Sequence, residues 1–397
     1  MIEGASVAVD YQPSGAGPFL WQAFDAAAVA ADLAAIARAG FGVVRVGLAW
    51  DSFMPDARGV DRRRIGELDV LLRTAARHGL RVIPVLFVQA HGDCVLLPAR
   101  TVLRRHPRSG VRVLSEGLVE PGGPRDVWTD TLMLDLADRW LRHMISAFSG
   151  HPAILAWDLG DDPARVVRPR RIAHLAAWVK LMAGPLRAGG DRVQITLGAG
   201  DIRQARGVRL TAVAPHVDRL DIAAGPADLR GFGLSGASAP GFLGELGQAL
   251  AGEVGVPLGL AVAIPSPGED AEGTGEAAAA VIVAELAERR AESGLAGLRA
   301  RWWSDLLPRL AERAPFDRNG WLLRCGLVRA DGSAKPALGA WAQAARAGGD
   351  VPPPRPWPDR LDVEGFYANL PESLLDLASE WHRVREDHPG ILGPSGA

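Results

Sequence analysis

The chain has 397 residues and only two cysteines, Cys94 and Cys325, which are too far apart to form a CxxC pair. Their spacing indicates neither a zinc site nor a disulfide framework, although it leaves a single bridge open. Lysine is nearly missing: Lys180 and Lys335 stand alone, and arginine supplies the rest of the 44 basic residues. With so much alanine and glycine alongside, this reads as genome base bias and not as mechanism. No charge of one sign is in excess, since 46 acidic residues leave a net charge of −2. That balance offers no footprint for nucleic acid and no patch for a membrane surface. The nine histidines contain no HExxH or HxH arrangement, so no metal is expected, and nothing points to a cofactor. No apolar run is long enough to span a bilayer. The opening MIEGASVAVDY carries an acid and no basic segment ahead of an apolar core. Neither a signal peptide nor a transmembrane helix is expected, and the cytoplasm is the default compartment.

What is present is a regular alternation. Short apolar runs at 5–10, 43–48, 81–87, 154–159, 192–197, 219–224, 257–264 and 298–303 alternate with longer runs of helical period. The first helix has Asp25 as its N-cap, Val29, Leu33 and Ile36 on one face, and Gly40 as its stop. The second carries Ile65, Leu68, Leu72 and Ala75 as a stripe. A long loop is expected from 88 to 128. Nearly continuous apolar strands fit a parallel sheet buried on both faces. Eight strand–helix repeats predict an α/β fold, a (β/α)8 TIM barrel over 1–345. An open doubly wound sheet is the alternative, disfavoured because no glycine-rich phosphate turn follows the first strand. The proline-rich stretch 350–362 opens a tail, 346–397, whose helix near 373–385 is expected to pack back on the barrel.

In such a barrel the chemistry lies where strands end. Strand two carries Arg45 and leads to Trp50 and Asp51. Strand three opens onto His91, Asp93 and Cys94. Strand four delivers Asp158, then the adjacent pair Asp161 and Asp162. Strand six ends in a blank IAAGP, and strand seven shows no acid before Glu269 and Asp270. Strand eight ends at Arg301, Trp302, Trp303 and Asp305.

These stretches resemble the clan-A glycoside hydrolases, most closely the cellulase and β-mannanase-like family-five group. The similarity is carried by YQPSGAGPFLWQAFDAAAVAADLAAIARAGFGVVRVGLAWDSFMP, by WTDTLMLDLADRWLRHMISAFSGHPAILAWDLGDDP and by APFDRNGWLLRCGLVRADGSAKPALGAW. The resemblance implies a retaining glycosidase ancestry, with a strand-four Glu as acid/base and a strand-seven Glu as nucleophile, about 5–5.5 Å apart. It also implies a carbohydrate ligand held by Arg45, Trp50, His91, Asp93, Arg301, Trp302 and Asp305. The chemical positions depart from the pattern. Asp161 replaces the Asn and Asp162 the acid/base Glu, one methylene shorter. Val262, with Ala261 before it, stands at the nucleophile position. Ala223 or Ala224 replaces the strand-six His, and Arg301 the strand-eight Trp.

The expectation is therefore an impaired or inactive barrel that keeps a carbohydrate- or partner-binding cleft. The alternative is an active glycosidase that uses Asp162 as acid and borrows Asp93, Glu269 or Asp270. A purely structural partner role is a third reading. The residues also have plainer roles: Arg45 in an ion pair with Asp161 or Asp162, the two aspartates capping the next helix and pairing with Arg165, His91 and Asp93 in loop packing, Cys94 as a small loop residue, and one of Trp302 and Trp303 in the core. The run RVVRPRRIAH at 165–174 could hold a phosphate or a uronate, with a solvated helix start as its plain reading.

Overall fold

The computed structural model describes residues 7–55, 59–105, 111–251, 254–265, 274–347, 357 and 361–386. Eight strands close into a barrel: β1 (Val7–Tyr11), β2 (Val43–Gly47), β3 (Arg81–Val88), β4 (Trp157–Asp161), β5 (Val193–Gly198), β6 (Arg219–Ala224), β7 (Leu258–Ala263) and β8 (Gly297–Arg301). Each pairs in parallel with its neighbours in sequence, and β8 closes on β1 through Val7↔Leu298, Ala8↔Arg299 and Val9↔Ala300. This is the (β/α)8 barrel that the alternation predicts.

The helices form where the sequence places an apolar stripe behind a cap. In α1 (Ala26–Arg38), Asp25 accepts the backbone N–H groups of Ala27 and Ala28 at 2.9 and 3.1 Å, and Val29, Leu33 and Ile36 are buried. In α2 (Arg62–Arg77), Leu68, Leu72 and Ala75 are buried and Ile65 is half-buried at the edge. The helices α3 (Thr131–Phe148), α4 (Ile172–Ala188), α5 (Ser238–Ala251), α6 (Thr274–Ser293) and α7 (Pro336–Arg346) complete the outer ring.

Three expectations need correction. The stretch 88–128 is not a bare loop. Ala90–His91, Cys94–Leu96, Arg112–Ser115 and Leu118–Val119 form a small four-stranded sheet, and Val102–Leu103 pairs with Gly123–Pro124. These runs are too short to register as strands by periodicity. Strand four starts at Trp157 and includes Asp161, and its register shifts between Asp158 and Asp161. That bulge lets both aspartates, three residues apart, face the interior, which strict alternation forbids.

The third correction concerns Val262. Its side chain points outward, where it lines a narrow void with Ala279 and Val283 of α6 and Trp341 of α7. Gly259 faces inward, because a Cβ on it would lie 2.1 Å from Arg219 Nη2 and 2.4 Å from Asp221 Oδ1. Alternation then turns Ala261 and Ala263 inward as well.

Beyond the barrel, α8 (Val363–Ala368) and α9 (Glu372–Glu386) lie against its side. Trp381 packs edge-on to Phe242 of α5 with ring centroids 5.8 Å apart. Arg385 holds both oxygens of Glu245 at 2.7 and 2.6 Å, and Arg209 sits 3.6 Å from the centre of the Tyr367 ring. Of the proline-rich stretch 350–362, only 357 and 361–362 are described. The thiols of Cys94 and Cys325 are free and buried.

Candidate functional site

The middle of the barrel is filled by charge. Arg45 donates through Nε to Asp158 at 2.9 Å and lies 3.5 Å from Asp10 and 3.8 Å from Asp161. Arg299 donates to Asp10 at 2.6 Å and to Thr196 Oγ1 at 2.9 Å, and reaches Asp221 at 3.3 Å. Arg219 completes the layer on Asp221 at 2.7 Å. Asp158 also accepts from Gln194 and Thr196 at 2.9 and 3.1 Å. Arg45 thus pairs first with Asp158, and with Asp161 rather than Asp162. Burial opposes its charge, but Asp158, Asp10 and Asp161 together hold the guanidinium protonated beyond its ordinary range.

Above this layer Arg301 crosses the mouth. It forms a short ion pair with Asp161 of β4 and lies 3.3 Å from Asp10 of β1. Burial alone would raise the Asp161 pKa; Arg301, Arg45 and Arg299 outweigh it and keep the carboxylate below its usual range. The Arg301–Asp161 pair and Trp302 stand between two spaces. On the axial side, beside Asp10, Gln12, Arg45, Gln89 and His91, about 40 Å³ remains, far below the roughly 300 Å³ at the lower end of ligand pockets. On the other side a cavity of about 650 Å³ opens over the ends of β4, β5 and β6.

Asp162 faces this larger cavity. Its backbone is left-handed, φ 53°, an uncommon state for a non-glycine residue. Gly198 makes room for it, since a Cβ there would lie 2.6 Å from the Asp162 carboxyl carbon. The expected helix cap is absent: only one 3-10 turn follows, Pro163–Arg165, and Asp162 makes no side-chain cap bond to it. Nor does Asp161 pair with Arg165, because Arg301 holds it. Burial, and then the neighbouring Asp201 carboxylate, push the Asp162 pKa up to about 7, against the pull of Arg165. Asp201 accepts from Gly198 N–H at 3.2 Å and pairs with Arg168 at 3.0 Å; burial raises its pKa and Arg168 opposes the rise. The adjacent Asp161 carboxylate also raises the Asp162 pKa, but by less than burial and Asp201.

The other sequence candidates fall in different places. Trp302 lines the cavity and stacks on His91 with ring centroids 6.0 Å apart; Trp303 is the core member, edge-on to Phe41. Burial pushes the His91 pKa down to about 4, so the ring is neutral. Trp50 is buried against Phe87 and is not among the cavity's lining residues. Asp93 is held by Arg112 at 2.8 Å and by Asn319 at 2.7 Å, and Asp305 by Lys335 at 2.7 Å; these are structural contacts away from the cavity. Glu269 and Asp270 lie outside the described residues. The sequence reading missed Asp201, Arg203 and Gln204 after β5, Asp228 after β6, and Trp321 at the rim, all of which line the cavity. A reading of strand ends that included β5 and ran four residues past β6 would have found the first four. Among the described residues no group of three or more His, Cys, Asp or Glu is arranged to hold a metal ion, and no helix is long and apolar enough to cross a membrane.

No protein-family model matches the sequence, and no curated protein does either. Solved structures do. A GH5_18 protein from Streptomyces cattleya in complex with Manβ1-4GlcNAc is 23% identical over 88% of this chain and 82% of its own, with a TM-score of 0.71. A GH5_18 structure from the same organism in complex with GlcNAc is 22% identical over 89% and 83%, TM-score 0.73. An exo-β-1,4-mannosidase from Opitutaceae bacterium strain TAV5 is 20% identical over 86% of this chain and 59% of its own, TM-score 0.70. At such identities the likeness establishes the fold, a (β/α)8 barrel like that of the GH5_18 structures.

Proposed function

We propose that this clan-A-like barrel binds a saccharide in the cavity over β4, β5 and β6 and does not cleave it by the retaining two-carboxylate route. The observation that carries this reading is β7. Its inward residues near the mouth are Ala261 and Ala263, and neither methyl group can attack an anomeric carbon. Arg301 supports it further, because its pair with Asp161 occupies the axial space where a pyranose would meet such a nucleophile. A saccharide remains a sensible ligand because the cavity is of ligand size and combines Trp302 and Trp321 with carboxylates and guanidinium groups. The GH5_18 structure with Manβ1-4GlcNAc makes that disaccharide the first probe.

The test pairs binding with turnover. Calorimetry on β-linked manno- and gluco-oligosaccharides, Manβ1-4GlcNAc included, is expected to give binding. A 2-fluoro glycoside, which traps glycosyl-enzyme intermediates, is expected to leave the protein mass unchanged. A second reading has one specific observation behind it: Asp162 and Asp228, on the loop after β6, line the same cavity. An inverting pair tolerates a separation of about 6.5–9.5 Å. Release of reducing sugar that both Asp162→Asn and Asp228→Asn abolish would replace the first reading with this one.

A further inference from the structure

We infer that the saccharide this cavity takes carries an anionic group, a carboxylate or a phosphate, held by Arg165, Arg168 and Arg203. The inference rests on the binding reading above and narrows it to a substrate class.

These three arginines come from the adjacent loops after β4 and β5 and line one cavity. Each keeps unused donors. Arg165 is exposed, and among the described residues its guanidinium makes no hydrogen bond or ion pair; its backbone N–H alone bonds, to the Asp162 carbonyl at 3.0 Å. Arg203 spends only Nη1, on the Asp228 carbonyl at 2.7 Å. Arg168 uses Nε on the Arg206 carbonyl at 2.7 Å and Nη1 on Asp201 at 3.0 Å, which leaves Nη2 buried without a partner. A guanidinium presents a planar fork that matches the paired oxygens of a carboxylate or phosphate. The hydroxyls of an uncharged sugar need no such group. Trp302 and the half-exposed Trp321 also line the cavity, with apolar faces suited to the C–H surface of a pyranose.

The charges in the cavity agree. Arg301 is answered by Asp161, and Arg168 by Asp201. That leaves Arg165 and Arg203 against Asp228 and Asp162. Asp162 decides the sign: protonated, it leaves the wall with positive charge in excess; ionised, it cancels that excess. The groups that face it are Asp201, Arg165, Asp161 and Arg301, and with burial they hold its pKa at about 7. An arriving anion favours the protonated form. Binding then takes up a proton and weakens as pH rises through that value.

Calorimetry on the full chain tests this with a glucuronosyl disaccharide, glucose 6-phosphate and their uncharged counterparts, at about pH 6 and about pH 8. At the lower pH the charged ligands are expected to bind at least about tenfold more tightly than the uncharged ones. For the uronate, whose own charge is constant over this range, the gap narrows at the higher pH, and Arg165→Gln and Arg203→Gln each shrink it for both anions. Arg165 makes no contact the fold depends on, so its variant controls for misfolding. The uronate and phosphate arms identify which anion is read. Equal binding of charged and uncharged sugars overturns this inference and leaves the saccharide cleft standing. So does a preference that survives both substitutions. Silence from every probe removes the cleft reading, and this one with it.

Discussion

Arg301 shows how one side chain can decide what a strand end does. It bonds to Asp161 and reaches Asp10, so it is both a structural tie and an obstruction. Removing it leaves Asp161 buried, with Arg45 at 3.8 Å as its remaining ion-pair partner. Arg301→Ala is expected to cost about 3 kcal/mol in urea unfolding, and Arg301→Ala combined with Asp161→Ala to recover most of that, because the penalty belongs to the orphaned charge. Asp162 acts in the opposite sense. Its folded pKa of about 7 lies above the ordinary carboxyl value, so its stabilising contribution is complete below about pH 4 and is lost as pH rises through about 7. Asp162→Asn is therefore expected to gain on the order of 2 kcal/mol over the native chain at about pH 8 and little at about pH 4, read from denaturation midpoints. The sequence marks both residues as departures from the pattern of the glycoside hydrolases it resembles. It does not identify their partners, because Arg301 meets Asp161 only when the barrel closes, and Asp162 meets Asp201 only when β4 and β5 pair side by side.

At the scale of the element, β7 and β4 mark the limit of reading by alternation. The apolar run of β7 is plain in the sequence, but its parity is not. Six residues that are all small or apolar, Leu258 to Ala263, give no polar partner to show which set faces in. Gly259 settles it, since Arg219 and Asp221 occupy the space a side chain would need. Gly259→Ala is expected to displace that charged layer and cost about 2 kcal/mol by thermal or urea denaturation. Gly160→Ala, where a Cβ would only touch Val88 at 3.4 Å, is expected to be milder. In β4 the bulge hides Asp161 from a strict period of two, and the sheet within 88–128 consists of strands of two to four residues, too short to signal themselves.

For the whole molecule, the barrel is legible because eight apolar runs and their helices must bury both faces of one sheet, and that pattern survives any change of site chemistry. The tail helix is legible from its own period, whereas the surface it covers is not. Trp381 is buried against Phe242, and Arg289 lies 5.4 Å from its ring. Trp381→Ala is expected to cost about 3 kcal/mol or more and to lower the melting temperature of the entire chain, in one transition if the tail and barrel unfold together. The thiols give a second global readout. Burial pushes both thiols up to about 12, helped by Asp93 at Cys94 and opposed by Lys335 at Cys325, so a thiol reagent at neutral pH is expected to react at the rate of opening and not on mixing. The crossing of the mouth by Arg301 also bears on redesign. A glutamate installed at Ala263 while the arginine remains gains a cation as its nearest neighbour and is neutralised before it can act. Removal of the arginine first leaves Asp161 and Asp10 to share Arg45, at 3.8 and 3.5 Å. Either order begins uphill, so placing a carboxylate at this end of β7 is a ratchet that only simultaneous substitutions can release.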